Sequence, residues 1–106
     1  MPPPEIDVDE LAKLVNSGAT LIDVREHDEF RQARIFEARH IPLADVPGRM
    51  NEVPGDEVVY VICAKGGRSR AAVHFMREQG IDAVNVGGGT AAWIESGRPV
   101  ETEDQT

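Results

Sequence analysis

Val58-Val59-Tyr60-Val61-Ile62-Cys63-Ala64-Lys65-Gly66-Gly67-Arg68-Ser69-Arg70 joins an unbroken apolar run to a loop that carries the chain's one cysteine. A run of Val, Tyr and Ile without alternation reads as a strand covered on both faces, as in parallel sheets. Two glycines break it. From Ser69 to Gln79 the apolar residues then recur at helical spacing, with Ala72, Val73 and Met76 on the inward stripe, Phe75 on an adjacent face, and Gly80 as the stop. Strand, tight loop and helix make the unit of an α/β fold, whose ligands bind beyond the carboxyl ends of the strands. Cys63 stands at that end.

The unit recurs along the chain. Ile6 to Val8 reads as a short edge strand, Asp9 to Val15 as a helix stopped by Gly18, and Thr20 to Val24 as a β-rich run. Glu26 to Ala33 reads as a short helix with Phe30 turned inward, Arg39 to Pro42 as a brief extended piece, and Val46 to Asn51 as another short helix. Ala83 to Val86 is a buried strand, and Thr90 caps a helix that runs through Ile94 and ends at Gly97. The pattern predicts an α/β domain of three layers, α/β/α, around a mainly parallel sheet of about five strands. Residues 1–5, with Pro2-Pro3-Pro4, are expected as an extended tail. The domain is expected over 6–100, and an acidic tail over 101–106.

Composition narrows the function. Nineteen acidic against 11 basic residues give a net charge of −8, which argues against nucleic acid or an anionic membrane as partner. A lone cysteine forms no intrachain disulfide, and His27, His40 and His74 show no ligand-like spacing, so no metal site is expected. No apolar run has the length of a membrane span, and the first residues do not form a signal peptide. The expectation is a cytoplasmic monomer with a reduced thiol and no cofactor.

Against this acidic background the cations of the Cys63 loop are local. A cysteine is nucleophilic as its thiolate, and helix N-termini or neighbouring cations lower its ordinary pKa of about 8.5. The following helix directs unpaired N–H groups at the loop. Gly66 and Gly67 permit positive φ, so that successive amides converge on an anion, and Lys65, Arg68 and Arg70 add full charges. Ser69 is expected to cap the helix and is also placed to donate to the sulfur. The bland alternative is an inert cysteine buried at a strand end. Ile62 fits it, whereas the loop that follows does not.

Four segments together resemble the single-domain rhodaneses, or thiosulfate sulfurtransferases. Leu21-Ile22-Asp23-Val24-Arg25-Glu26 is similar to the family's early strand and turn. Arg39-His40-Ile41-Pro42-Leu43-Ala44 resembles its Gly-His-Ile-Pro-Gly-Ala segment, with Arg39 and Leu43 at the two glycines. Cys63-Ala64-Lys65-Gly66-Gly67-Arg68-Ser69 resembles its active-site loop. Gly88-Gly89-Thr90-Ala91-Ala92-Trp93, with Gly97 and Pro99, resembles its closing segment.

The resemblance implies a sulfur relay. Cys63 attacks the outer sulfur of a small anionic donor such as thiosulfate, expels sulfite, and carries a persulfide to cyanide or to a cellular thiol, that of a protein sulfur-acceptor included. The backbone of Ala64, Lys65, Gly66, Gly67, Arg68 and Ser69 holds the anion, with Lys65 and Arg68 attracting the donor. The related cell-cycle phosphatases have five residues between cysteine and arginine, whereas four separate Cys63 from Arg68, which disfavours phosphatase or arsenate chemistry. A persulfide carrier or regulatory module without turnover is the rival reading from another class.

Asp23 is expected to orient the loop or Arg25, and Arg25 and Glu26 to tie loops together. His40 is expected to be architectural and Trp93 a core residue whose N–H needs a partner. A family glycine at positions 39 and 43 hints at unusual φ, so Arg39 and Leu43 predict a local shift of backbone.

Overall fold

The computed structural model describes residues 3–103. Five strands form one sheet: β1 (Glu5–Ile6), β2 (Thr20–Asp23), β3 (Ala38–His40), β4 (Val59–Ile62) and β5 (Ala83–Val86). Their spatial order is β1-β5-β4-β2-β3, and every pairing is parallel. The helices are α1 (Val8–Asn16), α2 (His27–Gln32), α3 (Gly67–Glu78) and α4 (Gly89–Glu95). The apolar run that opens the sequence reading is thus the central strand, and both of its faces are covered.

The strand period assigns its residues to two layers. Val59, Val61 and Cys63 pack with Ala72, Val73 and Met76 of α3, while Tyr60 and Ile62 pack with Leu11 and Val15 of α1 and Trp93 of α4. Full burial of a Val, Leu or Ile side chain is worth about 1.5–3 kcal/mol, so these two layers drive the assembly. Trp93 is buried and its indole N–H donates to the Pro99 carbonyl at 2.9 Å, the partner that burial demands. None of the four helices is long and apolar enough to cross a membrane.

Several local expectations are corrected. The first strand is Glu5–Ile6, because the Asp7 carboxylate accepts the Glu10 amide and so starts α1 at Val8. The segment after β3 is not α-helical but two 3₁₀ turns, Leu43–Asp45 and Pro47–Glu52, the second with Pro47 at its start. Helix α2 contributes no buried residue, and Phe30 is half-buried, stacked on the His40 ring at 4.3 Å instead of entering the core. Arg39 and Leu43 need no unusual backbone: among the described residues only glycines have positive φ.

The ends of the described chain are partly engaged. Pro4 accepts the Asn85 amide, Glu5 pairs in β1, and Glu101 pairs antiparallel with Arg34. The remainder of the expected tails, residues 1–2 and 104–106, lies outside the described residues.

Candidate active site

Cys63 follows directly on β4, and the register puts Asp23, His40 and Ile62 side by side at the same end of the sheet. The chain must leave β4 and enter α3 within four residues, and Gly66 makes this possible. It caps α3 at φ 113°, a left-handed conformation that is cheap only for glycine. Gly67, given the same role from sequence, has no positive φ. Ser69 is likewise not the cap. It sits one turn inside α3, fully buried, where its hydroxyl donates to Cys63 Sγ at 3.2 Å. The Gly66 amide donates to the same sulfur at 3.1 Å.

These donors decide the protonation of Cys63. The residue is 1% exposed, and burial pushes its thiol up. The Ser69 hydroxyl and the amides of Ser69, Gly66 and Lys65 all favour the thiolate, and together they outweigh burial and carry the pKa below its ordinary value. The expected ring of cations contributes less than the sequence suggests. Arg68 is held by Glu29, with Nη1 and Nη2 at 2.7 and 2.8 Å from its two carboxylate oxygens, and Arg70 turns to Glu5 at 3.1 Å. Lys65 is exposed and, among the described residues, forms no ion pair. The groups that favour the ionised sulfur are therefore mainly dipoles.

A second helix fixes the loop from behind. At the start of α4 the Thr90 amide donates to the Cys63 carbonyl at 2.9 Å and the Ala91 amide to the Ala64 carbonyl at 3.0 Å. Helix N-terminal amides lack intrahelical partners, so the loop carbonyls satisfy them. Thr90 is not the cap; Gly88 is, and α4 begins at Gly89. Gly89 is where the two backbones touch: a Cβ there would lie 2.4 Å from the Cys63 oxygen and 2.5 Å from the Ala64 oxygen. Beneath the loop, buried Asn85 donates to the Glu5 carboxylate at 2.8 Å and to the Gly66 carbonyl at 3.4 Å.

Asp23 and Arg25 form a buried pair beside the loop, 1% and 5% exposed. Arg25 Nε and Nη2 meet the Asp23 carboxylate at 2.8–3.1 Å, and its guanidinium also donates to the carbonyls of Glu29 and Ala33. The pair ties the end of β2 to α2, as a loop-joining role requires. His40 Nε2 lies 2.7 Å from the Arg25 carbonyl, so that nitrogen carries the proton and the ring braces the turn. Among the described residues, the side-chain hydrogen bonds of Asp23 and Arg25 go to each other, to Glu29 and to Ala33, and not to the sulfur.

Sequence reasoning missed Glu29, Asn85, and the amides of Thr90 and Ala91. The first had a signal, since Glu26-His27-Asp28-Glu29 has capping-box spacing and the Glu29 carboxylate accepts the Glu26 amide at 2.9 Å. A cleft of about 420 Å³ lined by Ala12, Val15, Phe36, Trp93 and Arg98 among others includes no residue of the Cys63 loop.

A doubly covered parallel sheet thus ends in a loop whose backbone and hydroxyl donors meet a cysteine sulfur, and the matches to known proteins place the chain in a family. The model of the rhodanese-like domain matches residues 7–96, and the chain belongs to that family. A sulfurtransferase of Allochromatium vinosum (strain ATCC 17899 / DSM 180 / NBRC 103801 / NCIMB 10441 / D) is 34% identical over 99 residues, 91% of this chain and 92% of its own. Thiosulfate sulfurtransferase GlpE of Actinobacillus pleuropneumoniae serotype 3 (strain JL03) is 39% identical over 88 residues, 82% of each chain. The crystal structure of a rhodanese-related protein from Thermoplasma volcanium superposes with a TM-score of 0.87 at 35% identity, covering 92% of this chain and 97% of that one. Other relatives are longer: the chain spans 50% of YrkF of Bacillus subtilis (strain 168), named for sulfur carriage, at 39% identity over 93 residues. Sulfur transfer in general is the activity that the family and these names support.

Proposed function

We propose that the chain moves sulfane sulfur from a small anionic donor such as thiosulfate to a thiophilic acceptor, through a persulfide on Cys63. The supporting observation is the sulfur's own setting: Gly66 N–H and Ser69 O–H both donate to Cys63 Sγ, and they lower its pKa in spite of burial. A thiolate made ready in this way needs no general base. It attacks the donor's outer sulfur, the donor S–S bond breaks, and sulfite departs with the bonding pair. The new terminal sulfur is negative, and the amides of the 64–69 loop are the donors available to it. Lys65 supplies attraction at the mouth. Asp23 and Arg25 support the loop without touching the reaction.

Cyanide in an assay, or a small or protein-borne thiol in the cell, then attacks the persulfide's outer sulfur and regenerates Cys63. Residues 6–100 are taken as the working unit, acting as a cytoplasmic monomer without a cofactor. A carrier that holds the persulfide for a protein acceptor is the second reading, favoured by the likeness to YrkF. Cyanolysis with thiosulfate, run beside Cys63→Ser, tests the proposal. Thiocyanate formation lost in the variant is expected. Equal rates in the two proteins refute it, and a stable persulfide without turnover selects the carrier.

A further inference from the structure

Arg68 is a cation of the Cys63 loop, yet it is occupied. Both its terminal nitrogens meet Glu29, and Glu29 Oε1 accepts the Glu26 amide as well. Three donors thus fix this carboxylate at the edge of the loop, and chiefly the Arg68 hydrogen bond holds its carboxyl well down, at about 2, so it stays ionised at neutral pH. Glu26 places a second negative charge within reach of Arg68, and the guanidinium also feels the Cys63 sulfur, so the pair lies in the field of the reacting atom. Arg70 is drawn to Glu5 on another side. Of the loop's three cations, Lys65 alone forms no ion pair among the described residues.

We propose that Glu29 is a specificity-determining residue: by neutralising Arg68 it reduces the advantage that a dianionic sulfur donor such as thiosulfate has over a monoanionic one. The inference rests on the sulfur-transfer reading and refines its substrate class. A fixed charge acts on a dianion with twice the energy it exerts on a monoanion at the same place. The amides and the Ser69 hydroxyl receive the sulfur end of either donor alike, so the charge of the Arg68–Glu29 unit is left to discriminate.

Thiosulfate and the methanethiosulfonate anion form a matched pair for this purpose. They differ by a methyl group in place of one oxide, and so by one unit of charge. With either, the Cys63 thiolate bonds to the outer sulfur and the donor S–S bond breaks. Sulfite or methanesulfinate leaves with the electron pair, and no further oxidant or reductant takes part.

The test is a competition between the two donors at equal concentration, with persulfide formation on Cys63 followed by intact mass and the two leaving groups quantified. Glu29→Gln retains an oxygen for Arg68 and the Glu26 amide while removing the charge. Its thiosulfate-to-methanethiosulfonate selectivity is expected to rise roughly threefold to fivefold, the size of a half-exposed charge interaction, and the gain is expected to shrink in high salt. Lys65→Gln is expected to move the same ratio the other way. A general distortion of the loop slows both donors alike, so an unchanged ratio in both variants, or a fall in Glu29→Gln, overturns the inference. If the wild-type chain takes sulfur from neither donor, the sulfur-transfer reading itself fails. If it takes sulfur from both and the ratio stays flat, only the inference about Glu29 fails.

Discussion

Gly89→Ala is the most informative single change outside the Cys63 loop, because its cost can be worked from geometry. Gly89 has φ +60°, and an added Cβ would lie 2.4 Å from the Cys63 carbonyl oxygen and 2.5 Å from that of Ala64, well inside the 3.0 Å that real Cβ contacts respect. Both obstacles are backbone, so the start of α4 must move off the loop. That motion breaks the Thr90 and Ala91 hydrogen bonds to the same two carbonyls. Two such bonds are worth about 1 kcal/mol each. The left-handed conformation costs an alanine a further ~1–2 kcal/mol. The predicted destabilisation is about 3–4 kcal/mol, with sulfur transfer down roughly a hundredfold from a displacement near 1 Å.

Gly97→Ala is the internal control. Its φ is +83° but nothing lies within 4 Å of the added carbon, so only the conformational cost of ~1–2 kcal/mol applies and activity should persist. Urea unfolding and cyanolysis on the two variants measure both quantities. If Gly89→Ala matches Gly97→Ala in stability and retains wild-type transfer, α4 does not hold the loop and the reasoning is wrong.

Ser69→Ala removes the hydroxyl that donates to Cys63 Sγ, the strongest of the groups that favour its ionised form, so the thiol should titrate at higher pH and alkylate more slowly at neutrality. Iodoacetamide pH–rate profiles read this cleanly in a chain with one cysteine, and a superimposable profile would contradict it. Arg25→Met leaves the Asp23 carboxylate buried without its partner and should cost about 3–5 kcal/mol in denaturant unfolding. Glu29 has a folded pKa of about 2 against an ordinary 4.5, so its contribution to stability is complete above pH 4.5 and is lost as pH falls toward 2. Side chains near 36% and 35% exposed screen the pair, so the acid-labile difference between wild type and Glu29→Gln should be only ~1 kcal/mol.

The central strands were legible because they are short, β-branched and largely apolar on both faces, between turn residues, whereas the edge strands Glu5–Ile6 and Ala38–His40 carry no such run. Val59 to Ile62 and Ala83 to Val86 fall where their composition puts them. The thiol's place at the end of β4 followed from the two glycines after it. Caps were read less well. Ser69 and Thr90 have cap-type side chains, but Gly66 and Gly88 took those positions because the turns there need positive φ. The charge balance of the loop was misread for a different reason. Arg68 and Glu29 are 39 residues apart, so their ion pair is a product of tertiary packing, and a count of local cations overstated the field at Cys63. The α4 amides on the loop are equally non-local.

Whether sulfur itself is carried on Cys63 is tested most directly by intact mass spectrometry after incubation with thiosulfate and removal of excess donor. The account predicts a gain of one sulfur atom that is absent in Cys63→Ser and discharged by cyanide. An unchanged mass, or the same gain in Cys63→Ser, would contradict it.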